Sequence, residues 1–96
     1  MSKMKNINKL SLKLCYNVDD IINKIINSIT FIEDIDEFYE IHTNININMY
    51  YHKKSGDIGF DLTKFYRHFD EPSSDYTRDA TAYLLHYIIE DFIAKI

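Results

Sequence analysis

Apolar and polar residues alternate from Lys9 to Tyr16, with Leu10, Leu12, Leu14 and Tyr16 on one parity and Lys9, Ser11, Lys13 and Cys15 on the other. A period of two belongs to a half-buried strand, and it predicts a first strand there. The period then lengthens: Ile21, Ile22, Ile25, Ile26, Ile29 and Ile32 recur at spacings of three and four. Asn17 suits an N-cap, and Asp19 and Asp20 suit the positive end of a helix. Together these features predict a helix from Val18 to Ile32 that buries one face, with Asn23, Lys24, Asn27 and Ser28 opposite.

From Tyr39 the period returns to two. Tyr39, Ile41, Thr43, Ile45, Ile47, Met49 and Tyr51 alternate with Glu40, His42, Asn44, Asn46, Asn48, Tyr50 and His52, which predicts one long strand. The second set is polar or Tyr throughout, as on the wet face of an antiparallel sheet. Lys53, Lys54, Ser55, Gly56 and Asp57 carry hairpin-turn chemistry, and Ile58, Phe60 and Leu62 then resume the alternation as a third strand. His68 to Asp75 reads as a loop around Pro72.

The segment from Tyr76 to Ile96 predicts a helix capped by Ser74 or Asp75, apolar at Tyr76, Ala80, Tyr83, Leu84, Tyr87, Ile88 and Phe92. Leu85, Ile89, Ile93 and Ile96 widen that arc beyond half the circumference, leaving a polar strip around Asp79, His86 and Glu90. One apolar stripe suffices for a helix on the outside of a two-layer fold. The excess must be covered by the first helix, the N-terminal segment or another chain. Tyr83, Tyr87, Ile89 and Ile93 are accordingly the positions expected to meet a partner or the second copy of a homodimer.

The order strand, helix, strand, strand, helix gives an α+β fold class, a small two-layer sandwich with a three-stranded, mostly antiparallel sheet and two helices on one face. With 96 residues, 46% of them hydrophobic, and only two Gly and one Pro, the chain is expected to form a single domain over residues 1–96. The run Asn44-Ile45-Asn46-Ile47-Asn48 is a pairing hazard if it lies at a sheet edge. Cys15 is the single cysteine, and no apolar run approaches the roughly 20 residues that cross a bilayer. Lys9 and Lys13 interrupt any signal-peptide core. A soluble protein of the cytoplasm, of the producing or infected cell, is the expectation.

Fifteen acids against eleven Lys and Arg leave a charge of -4, which argues against general nucleic-acid binding by phosphate neutralisation. Lys3, Lys5, Lys9 and Lys13 precede the first acid, and the remainder is strongly acidic. Acids crowd most at Glu33, Asp34, Asp36, Glu37 and Glu40, either as a solvated loop or as a docking surface for a basic partner. The four His residues show no zinc-type spacing, and along one strand His42 and His52 would stand roughly 33 Å apart. No metal and no cofactor are expected. His68 and Asp70 near Tyr66 make a loose acid-base trio without a nucleophile, so no catalytic residue is assigned and an enzyme is not expected.

Lys53, Lys54, Lys64, Tyr66 and Arg67, interleaved with Phe65 and Phe69, form the alternative: a basic-aromatic patch for a nucleotide or single-stranded nucleic acid. Eight Tyr and six Phe favour protein contact instead, because the Tyr ring is apolar and its tip is wet. Tyr50, on the open sheet face, joins the acids as a partner-binding residue. The expected function is a non-catalytic protein-protein interaction module, a small acidic inhibitor that blocks a basic surface of a nuclease or defence protein. The abundance of Ile, Asn, Lys, Tyr and Phe indicates an AT-rich coding sequence, as in a low-GC bacterium, its phage or a virus. In size, acidity and codon-driven composition the profile is similar to phage-encoded anti-defence inhibitors of the anti-CRISPR kind and to toxin-immunity proteins. That resemblance is one of profile, carried by no motif.

Overall fold

The computed structural model describes residues 18–96; the strand expected over Lys9–Tyr16 lies outside the described residues. Helix α1 occupies residues 18–28 and turns Val18, Ile21, Ile22 and Ile25 inward, as the spacing requires. It stops short of the expected Ile32. Ile29-Thr30-Phe31-Ile32 is a β-branched and aromatic run that loses side-chain freedom in a helix and packs well on a pleated surface. It enters strand β1 (Ile29–Ile35) without a linker, and the Ser28 hydroxyl donates to the Ile25 carbonyl at 2.5 Å at the junction.

Strands β2 (Phe38–Thr43), β3 (Met49–His52) and β4 (Ile58–Gly59) follow, and the sheet runs β1-β2-β3-β4 with every neighbour antiparallel. The long strand expected from Tyr39 to His52 is thus two strands folded back on each other. Asn chemistry makes the break. Asn46 takes a left-handed backbone (φ 63°), which Asn tolerates better than most residues, and the Asn48 side-chain carbonyl accepts from the Thr43 amide at 3.3 Å. The Thr43 hydroxyl donates to the Ile47 carbonyl at 2.7 Å and closes the turn. The register pairs Ile41 with Met49 and Glu40 with Tyr50, so odd positions still meet odd and even meet even. Both faces of the sheet keep the residues that the alternation assigns to them.

The hairpin turn over 53–57 is as expected, with Gly56 at φ 74° donating its amide to the His52 carbonyl at 2.8 Å. The strand beyond it is only Ile58–Gly59. Asp61 then caps helix α2 (Leu62–His68) by accepting from the Lys64 amide. Leu62, Phe65, Tyr66 and Phe69 fall on one side of this helix, with Phe65 and Tyr66 buried.

Helix α3 (Asp75–Ala94) begins with a reciprocal capping box in which Ser74 and Thr77 satisfy each other's backbone amides. Replacing Ser74 by Ala removes one half of that exchange. The expected loss is about 1 kcal/mol, read as a fall of about 4–8 °C in the melting temperature.

The core joins Ile21 and Ile25 of α1, Ile41 and Met49 of the sheet, Phe65 and Tyr66 of α2, and Leu85 and Ile89 of α3. The Tyr66 hydroxyl donates to the Thr77 carbonyl at 3.3 Å and accepts from the Thr81 hydroxyl at 2.8 Å, so the polar tip enters the core satisfied. The fold is α+β as expected, but the described residues form a four-stranded antiparallel sheet and three helices, where three strands and two helices are expected for the chain. The added helix changes what α3 must hide. Thr77, Thr81, Leu85 and Ile89 form its buried stripe, whereas Tyr76, Tyr83 and Tyr87 are exposed. Ile89, expected at an intermolecular surface, is a core residue, and Ile93 is half-buried against the core.

Candidate functional site on the open face of the sheet

Strand pairing sorts the acidic stretch onto different surfaces. Ile32, Ile41 and Met49 lie side by side on the core face, and so do Asp34, Tyr39, Tyr51 and Ile58. The opposite face carries Phe31 beside His42, then the row Glu33, Glu40, Tyr50 and Gly59, then Ile35, Phe38 and His52. This face is open to solvent: Phe31 is 56% exposed and Tyr50 44%.

Glu33 and Glu40 stand directly across from each other, a like-charge pairing that destabilises a sheet unless something lies between. Here it is His42, whose Nε2 is 2.9 Å from Glu33 Oε1 and 3.4 Å from Glu40 Oε1. Phe31 stacks on the His42 ring at 4.2 Å between centroids and 11° between planes, which fixes the ring's tilt. The Asn48 side-chain amide donates to the second oxygen of Glu40 at 3.4 Å. The Glu40 carboxylate, as a hydrogen-bond acceptor for the Tyr50 hydroxyl and by its negative charge, holds the Tyr50 pKa above the usual phenol value. Phe38 meets Tyr50 edge to face at 5.8 Å. Next to them an open groove of about 440 Å³ runs over Gly59, lined by Phe38, Tyr50, His52, Asp57 and Ile58. A Cβ at Gly59 would meet nothing within 4 Å, so the backbone there borders open space.

Of the five acids expected to act together, Glu33 and Glu40 share this face and the others do not. Asp34 points to the other side and pairs with Lys53, whose ammonium also sits 4.6 Å from the centre of the Tyr39 ring. That partner raises the Lys53 pKa. Asp36 and Glu37 form the β1–β2 turn, exposed, with Asp36 at φ 42°.

The alternative basic-aromatic patch is dispersed. Lys53 is committed to Asp34, Lys54 is exposed in the hairpin turn, Lys64 and Arg67 are exposed on α2, and the Tyr66 ring is buried. Arg67 does share a small cleft of about 250 Å³ with Asp70 and Arg78. The acid-base trio does not assemble, because the Tyr66 hydroxyl is taken by Thr77 and Thr81 while His68 is exposed and packs edge-on to Phe69 at 4.9 Å.

A second exposed aromatic surface lies on α3. Tyr83 and Tyr87 meet edge to face at 5.1 Å with their hydroxyls 3.3 Å apart, which raises the Tyr87 pKa through the hydrogen bond to Tyr83. They line a groove of about 540 Å³ with Ile58, Phe60, Ala82 and His86.

Phe31, Phe38, His42 and His52 belong to the open face and were not singled out as partner-binding residues. The alternation that places Glu40 and Tyr50 together also places His42 and His52 on their side, and the fold-back sets His52 opposite Phe38 on a neighbouring strand to His42. The separation expected for one continuous strand does not apply. Among the described residues no helix is long and apolar enough to cross a membrane. Compared with models of known families, with curated proteins and with solved structures, the chain matches none.

Proposed function

We propose that this chain is a non-catalytic protein-binding module, and that the open face of its sheet covers a basic surface of a nucleic-acid-processing or defence enzyme, as a small inhibitor does. The observation that carries this reading is the row Glu33, Glu40 and Tyr50 set among Phe31 and Phe38 on a solvent-facing sheet. Exposed rings supply anchors that gain most when buried against a partner. The adjacent carboxylates steer a positively charged surface into register and penalise partners of the wrong sign.

The double variant Glu33→Lys with Tyr50→Ala tests this assignment, since both positions are exposed and neither belongs to the core. Tagged wild-type chain is expected to retain a stoichiometric protein from nuclease-treated host lysate, and the variant to lose it. Retention that disappears on nuclease treatment, or that survives the double variant, contradicts the reading and favours the Lys64–Arg67 region.

A further inference from the structure

We infer that Glu33, Glu40 and His42 form a binding site for one divalent transition-metal ion, zinc foremost. One ligand atom from each residue lies within 4.8 Å of the other two, although the sequence spacing of Cys and His leads to the expectation of no metal. In a tetrahedral zinc site with bonds of about 2.0–2.1 Å, neighbouring ligand atoms stand roughly 3.3 Å apart. The distances from His42 Nε2 to the two glutamate oxygens, 2.9 and 3.4 Å, bracket that spacing.

The three donors are also aimed. Phe31 holds the plane of the imidazole, and the Asn48 side-chain amide donates to the Glu40 carboxylate. Outer contacts of this kind orient metal ligands and tune their affinity. Two paired strands supply the backbone, so the ligands rest on a hydrogen-bonded ladder and not on a loop. The charge calls for a cation: two carboxylates face each other across the strands, and among the described residues neither pairs with a Lys or Arg. An imidazole nitrogen beside two carboxylates suits zinc or a neighbouring first-row ion, whereas magnesium and calcium favour all-oxygen shells. Three protein ligands leave the solvent-side position open. The ion would clamp β1 to β2.

Calorimetric titration of the full chain with ZnCl2 and, separately, with MgCl2 tests the site without any protein partner, so its outcome is independent of the docking proposal. Zinc is expected to bind at one ion per chain at this site, to shift the His42 ring resonances, and to bind at least tenfold more tightly than magnesium. Glu33→Gln and His42→Gln are each expected to weaken zinc at least about tenfold. Glu33 is half exposed, so its variant keeps the fold, and circular dichroism checks both. Absence of saturable zinc binding, equal affinity for magnesium, or zinc affinity unchanged in both variants overturns the assignment.

Discussion

Ile89→Glu is expected to abolish folding of the chain at 25 °C. Ile89 is fully buried, in the same cluster as Ile21, Ile25, Ile41, Met49 and Phe65. A carboxylate there would be charged and unpaired, or else protonated at the expense of its pKa. Either outcome costs several kcal/mol, comparable with the about 5–15 kcal/mol that a whole domain has to lose. Far-UV circular dichroism and amide dispersion read the result. Tyr87→Glu is the matched control, two positions away on the exposed side of α3, and it is expected to stay folded. A folded, monomeric Ile89→Glu protein would contradict the core assignment and return that side chain to an intermolecular surface.

Phe65→Ala is expected to cost about 3–5 kcal/mol, the range for emptying a buried aromatic site. The ring is fully buried, the bulkiest of the described side chains with no exposed surface, and it docks the short helix α2 against the rest. Urea denaturation should show the midpoint falling with little change in slope, because the folded state loses contacts while the surface exposed on unfolding stays similar. Lys64→Ala, one position earlier and exposed, is expected to stay within about 0.5 kcal/mol of wild type. A loss below 1 kcal/mol for Phe65→Ala would mean that α2 contributes no core.

The fold class and the sorting of the sheet's two faces were legible in the sequence because they depend on parity. Ile41 and Met49 face the core and Glu40 and Tyr50 face out in any antiparallel arrangement that keeps odd opposite odd. The strand count was not legible from parity, since a turn that preserves it leaves no mark in the alternation. Its signal was chemical: three Asn residues at alternate positions, of which Asn46 accepts a left-handed backbone and Asn48 ties back to Thr43. Helix α2 was hidden for the opposite reason. Ile58, Phe60 and Leu62 continue a period of two, while Leu62, Phe65, Tyr66 and Phe69 follow the helical spacing behind Asp61 as cap. The two patterns overlap at Leu62, and only packing decides between them. Ile29 and Ile32 show the same ambiguity: they fit the helical repeat of α1, but pairing of β1 with β2 claims them for the sheet.

The candidate site was legible in part. Charge density along the chain picks out Glu33, Asp34, Asp36, Glu37 and Glu40 as one group, yet adjacent residues on a strand point to opposite faces. Asp34 therefore serves Lys53 on one side, while Glu33 and Glu40 meet His42 on the other. Three-dimensional pairing brings His42 to residues nine and two positions away, a constellation that linear ligand spacings do not encode. Of the four α3 positions expected at a partner or dimer surface, Tyr83 and Tyr87 lie exposed, whereas Ile89 sits in the core and Ile93 is half-buried against it.

Docking on the open face of the sheet, as proposed, is checked by amide shift mapping of the isotopically labelled chain during titration with its captured partner. The largest changes are expected at Phe31, Glu33, Phe38, Glu40, His42 and Tyr50, with α2 and the exposed side of α3 little affected. Changes centred on Lys64 and Arg67, or on Tyr83 and Tyr87, with the open face unmoved, would contradict it.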